Sequence, residues 1–160
     1  MGLDMYLSAK TFISGYEHGK VDDRKAYSAV INAANLTAIA DPTTPHTTVS
    51  TCVLYWRKAN AIHNWFVNTV QNGVDDCSEY SVSFEQLQTL LDTVTQAIVA
   101  YKSDDIAKIK ALMPPVGGFF FGGTDINDNF LYDMEATKTG LTRILKNAPE
   151  KVDFFYRSSW

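Results

Sequence analysis

Two tryptophans, an arginine, a lysine, a histidine and two asparagines fall within the ten residues from Trp56 to Trp65. Together these side chains are what an anionic, aromatic ligand requires. A guanidinium grips phosphate in bidentate fashion, an ammonium adds a point charge, an indole stacks on a ring, and amides both donate and accept hydrogen bonds. Arg57 and Lys58 would meet phosphate, Asn60 and Asn64 would read polar edges, and His63 would donate a hydrogen bond. Trp56, Trp65 or Tyr80 would stack, and Arg157 would approach from the C-terminal strand. Each of these residues also has a bland reading. The indoles can complete a core, a lone histidine is more often hydrogen-bonded structure than a catalyst, and asparagine is common throughout the chain.

Other chemistry is less well supported. Cys77 and His63 would make a thiol and base pair if the segment after residue 73 folded back over the helix before it, but no third residue suggests itself to orient them. Asp75, Asp76 and Glu79 form one acidic cluster and Asp125, Asp128 and Asp133 another. Neither has the glycine and terminal glutamate of an EF-hand loop. Gly117-Gly118 and Gly122-Gly123 match neither GxGxxG nor GxxxxGK[ST], although Gly122-Gly123-Thr124-Asp125 leads into a helix start. Asp125 would oppose a phosphate there. His18 and His46 fall in segments read as loop. Neither a catalytic residue, a metal site nor a cofactor is assigned, and turnover is not the favoured reading.

The elements that must position these groups follow from periodicity. Residues 3–9 alternate as a half-buried strand. Residues 22–40 open with acids and continue Ala-rich, as a helix with Tyr27, Val30, Ile31, Ala34 and Ala38 inward. A proline loop follows and re-enters a strand near Thr47 to Thr51. Residues 53–72 read as a helix, with Tyr55, Ala59, Ile62, Phe66 and Val70 on one stripe and Arg57, Asn60, Asn64, Asn68 and Gln71 on the far face. Trp56 and His63 would sit on one shoulder and Lys58 and Trp65 on the other. Either a polar ligand or the chain's general richness in Asn and Thr explains that amide-rich face.

Downstream, Glu79 to Val82 read as a short strand and Ser83 to Gln86 as a capping box. The helix it opens has Leu87, Leu90, Leu91, Val94 and Ile98 inward. A short helix over 103–112 stops at Pro114-Pro115. Gly117 to Gly123 read as a buried strand, and Asp125 as the cap of a long helix to about Asn147. Asp153 to Ser159 alternate again. The sum is a single α+β domain over 1–160, a four- or five-stranded mixed or antiparallel sheet covered by three to five helices. Pairing between the two terminal strands would bring Asp4 to Arg157.

The chain has 160 residues, of which 46% are apolar and 20% charged. That is the size and composition of one folded domain rather than a disordered segment. Its net charge of -4 argues against a protein that holds nucleic acid mainly through charge. Asp4 interrupts what a signal peptide would need, no run is long enough to span a membrane, and Tyr6 stands where N-myristoylation needs Ser or Thr. Cys52 and Cys77 are expected to be buried and reduced.

The string YWRKANAIHNWFV at Tyr55 to Val67 resembles a family of small proteins of tailed bacteriophages and prophages. Further marks are MGLDMYL at the start, Asp75-Asp76-Cys77, Tyr80 to Ser83, GFFFG at Gly118 to Gly122 and the aromatic Phe154 to Arg157. Residues 15–49 depart from the pattern. The resemblance implies a phage accessory protein acting in the cytoplasm of the infected bacterium. Such proteins often counter host defence, which points to three functions. The first is sequestration of a small anionic ligand, for instance a nucleotide-derived defence signal. The second is inhibition of a host protein by direct binding, and the third a small nucleotide-processing enzyme. Because Arg57 and Trp65 point apart on one helix, a pocket using both would need a second chain, so a homo-oligomer is an open expectation. Membrane and nucleic acid are not expected partners.

Overall fold

The computed structural model describes residues 2–118 and 121–160. In chain order it contains β1 (Asp4–Ser14), α1 (Val21–Ala33), β2 (His46–Arg57), α2 (Asn60–Thr69), β3 (Tyr80–Val82), α3 (Phe84–Lys102), α4 (Ile106–Leu112), α5 (Asp128–Asn147) and β4 (Asp153–Ser159). The four strands form one antiparallel sheet in the order β2-β1-β4-β3. The α+β reading holds, and so does the pairing of the terminal strands. Period-2 alternation decides which face is covered. Met5, Leu7, Phe154 and Tyr156 are buried beneath the helices, while Tyr6 and Tyr55 stay exposed on the opposite face. No helix among the described residues is long and apolar enough to cross a membrane.

The largest correction falls on residues 53–72. They are not one helix. β2 runs on to Arg57, Lys58 adopts a left-handed φ of 59°, and α2 begins only at Asn60. The stretch Thr47 to Trp56 is rich in β-branched and aromatic residues, which suit a pleated surface, and β1 offers it a partner for almost every residue. Val53 is the exception. Leu7 opposes Leu54 and Ser8 opposes Cys52, so Val53 is an extra, bulged residue. The Arg143 guanidinium on α5 donates to its carbonyl at 2.7 Å. Next to this bulge α5 comes close. A Cβ on Gly140 would lie 2.5 Å from Leu54 Cδ1, so a side chain there would push Leu54 aside.

The other helices form where local signals place them. Ser83 caps α3 through a complete capping box with Gln86, and Leu87, Leu90, Val94 and Ile98 are buried below it. Asp105 caps α4, accepting from the Lys108 N–H. α5 is capped by Asn127 rather than Asp125. α1 ends at Ala33, short of residue 40, and of its expected stripe only Ile31 is buried. The expected strand at Gly117 to Gly123 falls partly on Phe119 and Phe120, which lie outside the described residues. Its described flanks, Gly117, Gly118 and Phe121 to Gly123, belong to no strand.

β4 pairs with β1 only between Asp4 and Lys10. Beyond that point Thr11–Ser14 and His46–Val49 continue as a two-stranded ribbon, with α1 in the connection between them. The segment 15–49, set apart by its sequence, thus comprises the connection that closes this ribbon and the first residues of its second strand.

Candidate functional site

Arg57, Lys58 and Asn60 converge on a cleft of about 370 Å³. They come from the end of β2, the turn and the first residue of α2. The opposite wall is the loop ahead of α5, with Gly122, Gly123 and Asp125, and the start of α5, with Asn129, Tyr132 and Asp133. Asn60 holds the two walls together. Buried itself, it donates from Nδ2 to the carbonyls of Phe121 at 3.1 Å and Gly123 at 2.8 Å. Asn64 anchors the earlier part of the same loop, donating to the Pro114 carbonyl at 3.1 Å. Gly122 has a φ of 85°, a conformation that glycine adopts without steric cost. A Cβ there would sit 3.3 Å from Lys58 Cβ. A side chain at this position would therefore be strained and would press the loop away from the turn.

The cations of the cleft are accessible. The Arg57 side chain is 64% exposed and its Nε lies 4.0 Å from Asp4 Oδ1, a contact too long to hold the guanidinium. Lys58 makes no ion pair among the described residues. Facing them, Asp133 is half-buried with no hydrogen-bond partner for its carboxyl among the described residues. Burial pushes that carboxyl up to about 6, because desolvation disfavours the charged form. The folded chain therefore holds this proton more tightly than the unfolded chain does. The resulting stabilisation is fully present below the ordinary carboxylate range and is lost as pH rises through about 6. Asp133→Asn should accordingly raise the unfolding midpoint near neutral pH. The gain should shrink as pH falls through about 6 and vanish in acid. Thermal unfolding of both proteins across that range checks it.

The other expected site residues lie elsewhere. Trp56 is 4% exposed and packed edge-on against Phe66, with Nε1 donating to Thr137 Oγ1 at 2.7 Å; its ring faces are not free to stack on a ligand. Trp65 likewise packs edge-on against Phe66. Tyr80, on β3, donates to Asp76 at 3.2 Å, and burial followed by that carboxylate raises its hydroxyl above the ordinary tyrosine range. Arg157 lies on the open sheet face beside Tyr6, Ser8, Glu79 and Ser159, away from the cleft. It does not meet Asp4, which is opposite Ser159 and accepts a hydrogen bond from Tyr55. The far face read into the helix does not exist, because Arg57 is on a strand and Gln71 is buried beyond the end of α2.

His63 is 1% exposed and does not line the cleft. Its Nε2 faces Asp75 Oδ2 at 2.9 Å, and its Nδ1 faces the Tyr156 hydroxyl at 2.8 Å. A carboxylate only accepts, so Nε2 donates to Asp75, while Nδ1 and the Tyr156 hydroxyl share the second hydrogen bond. Burial above all, then the nearby Asp75, keeps that phenol protonated by moving it well above its ordinary range. The second Asp75 oxygen accepts from Trp160 Nε1 at 3.2 Å, and Phe121 meets the imidazole edge-on. Both ring nitrogens are thus engaged, and neither is left to activate Cys77. Both cysteines are free, but Cys52 is exposed and Cys77 half-buried, contrary to the expected burial. Among the described residues no three His, Cys, Asp or Glu side chains are grouped to hold a metal ion.

Sequence reasoning missed the wall formed by Asp125, Asn129, Tyr132 and Asp133. Its visible signals were the glycine pair ahead of a helix start and the acidic cluster of Asp125, Asp128 and Asp133, and neither pointed to Arg57 or Lys58. The lining offers cations, amides, carboxylates and a phenol, but no serine, cysteine or histidine. Such a set can hold a ligand by charge and hydrogen bonds. No family model, curated protein or solved structure matches this chain.

Proposed function

We propose that this protein binds a small anionic ligand of about mononucleotide size in the cleft at Arg57 and Lys58, and sequesters it without conversion. The observation that supports this is the convergence of Arg57, Lys58 and Asn60 on one cleft of about 370 Å³. That volume is near the lower end of small-molecule sites, about 300–1,000 Å³. The two cations take the anionic end. The carboxylates of Asp125 and Asp133 on the other wall favour a ligand whose far end donates hydrogen bonds, as a base or ribose does. In the biological setting proposed here, a phage accessory protein in the host cytoplasm, that ligand is a nucleotide-derived defence signal.

Thermal stability against mono-, cyclic and ADP-ribose-type nucleotides, with any released compound identified by mass, tests the reading. A ligand at 100 times its Kd adds about 2.7 kcal/mol. Arg57→Ala and Lys58→Ala should each weaken binding about tenfold or more, because a hydrogen bond to a charged group is worth about 1.5–3 kcal/mol. Both side chains are exposed, so the unliganded melting point should stay put. No shift across the panel, or full affinity in both variants, sinks the proposal. A shift with a chemically changed compound moves the reading to an enzyme.

Inhibition of a host protein is the second reading. Tyr6, Tyr55 and Arg157 lie on the uncovered sheet face and are residue types that anchor protein interfaces. It predicts a protein captured from infected cells whose binding is lost with Arg157→Ala and unaffected by Lys58→Ala.

A further inference from the structure

We propose that the free edge of β2 pairs with the same edge of a second copy of this chain, antiparallel about a two-fold axis at Val49. This inference stands apart from the ligand reading. β2 is an edge strand of 12 residues, and from His46 to Trp56 it holds no Lys, Arg, Asp, Glu or Pro. Natural sheets blunt an open edge with charge, proline, a bulge or a covering element. Within the strand those devices occur at one end only, Pro45 lying just before the other. The bulge at Val53 and the Arg143 guanidinium on its carbonyl close the strand next to α5. From His46 to Cys52 there is neither, and all of these residues but Thr47 are exposed.

That boundary sets the register. A segment limited to residues 46–52 and paired with itself is centred on Val49. Val49 then meets Val49, Thr48 meets Ser50, Thr47 meets Thr51, and His46 meets Cys52. No pair sets two carboxylates or two of the always-charged cations opposite one another, and hydroxyl pairs across antiparallel strands are favourable. Val49 is 40% exposed, and the pairing would cover it. Self-complementarity is what favours a second copy over a strand of another protein: one patch serves both partners and the assembly closes as a dimer. A contact of this length is smaller than a standard interface, so the dimer is concentration-dependent.

Sedimentation of the intact protein from low micromolar to near-millimolar concentration should show monomer passing to dimer and nothing larger. Val49→Lys places two ammonium groups across the axis and should leave only monomer, with an unchanged circular dichroism spectrum. In a Cys52→Ser background, Val49→Cys should form an intermolecular disulfide in air, because residues directly opposite one another have the closest Cβ atoms across the pair, about 4.5 Å at the near end of their range, where a small shift reaches disulfide distance. Ser50→Cys, one residue off the axis, should cross-link far less. A parent that stays monomeric at every concentration overturns the proposal. So does a dimer that survives Val49→Lys, or one that leaves Val49→Cys reduced.

Discussion

Replacing His63 with alanine is expected to cost about 3–5 kcal/mol of folding stability, a large share of the roughly 5–15 kcal/mol of a typical domain. Two effects add. The imidazole is 1% exposed and edge-on to Phe121, so its removal leaves a cavity that the aromatic neighbours cannot readily collapse into. It also strips partners from two groups at once. The Tyr156 hydroxyl lies in a side chain with no exposure, and among the described residues Asp75 keeps only the Trp160 indole N–H. Tyr156→Phe separates the two effects. It retains the ring stacked on Phe66 at 3.9 Å. Only the hydroxyl is removed, so a cost of about 1.5 kcal/mol is expected. Urea unfolding measures both. A His63→Ala protein that unfolds within about 1 kcal/mol of the parent, as surface substitutions do, would show that this histidine does not hold the core. It would then reopen as a chemical group.

Trp56→Ala should be comparably severe, about 3–5 kcal/mol. The indole is buried against Phe66, and its N–H ties the end of β2 to Thr137 on α5. Trp56→Phe should cost far less. The Thr137 hydroxyl still donates to the Asp133 carbonyl at 2.6 Å, so losing the indole N–H strands no donor. The contrast also tests the assignment of Trp56 to the core. Trp56 is absent from the cleft lining, so Trp56→Phe should leave ligand affinity within about twofold while lowering the unfolding midpoint. An affinity loss matching that of Arg57→Ala would return Trp56 to the binding surface.

These predictions rest on residues that the sequence exposes by type and hides by place. The motif from Trp56 to Trp65 reads as one ligand face when laid on a single helix. In the molecule it is divided at Lys58, and its halves do different work. Arg57, Lys58 and Asn60 reach the cleft, whereas Trp56, His63 and Trp65 turn into the core. Nothing in a helical wheel shows that division. The stripe of Tyr55, Ala59, Ile62 and Phe66 has helical spacing across a strand, a turn and a helix, and β1 decides the matter by pairing with β2 up to Arg57. The opposite wall of the cleft was hidden for a similar reason. Asp125 and Asp133 are distant in sequence; the loop that Asn60 and Asn64 hold brings Asp125 to Lys58, and α5, tied to β2 through Thr137 and Arg143, brings Asp133.

What the sequence determined by itself is local. Ser83 and Gln86 announce the start of α3, because the capping box closes within four residues. The alternation of Asp153 to Ser159 sets Phe154, Tyr156 and Ser158 opposite Phe155, Arg157 and Ser159, because a strand's side chains take opposite faces in turn; the helices above the sheet then decide that the first set is the buried one. The α+β class follows from the sum of such signals. Tertiary structure alone decided that the strand expected near Thr47 to Thr51 runs on to Arg57, that His63 is held between Asp75 and Tyr156, and that the cations of β2 face the carboxylates of α5. Each depends on partners far away in the chain. The free energy of such contacts comes from burial and pairing that exist only once the chain has closed on itself, so no window of neighbouring residues contains it.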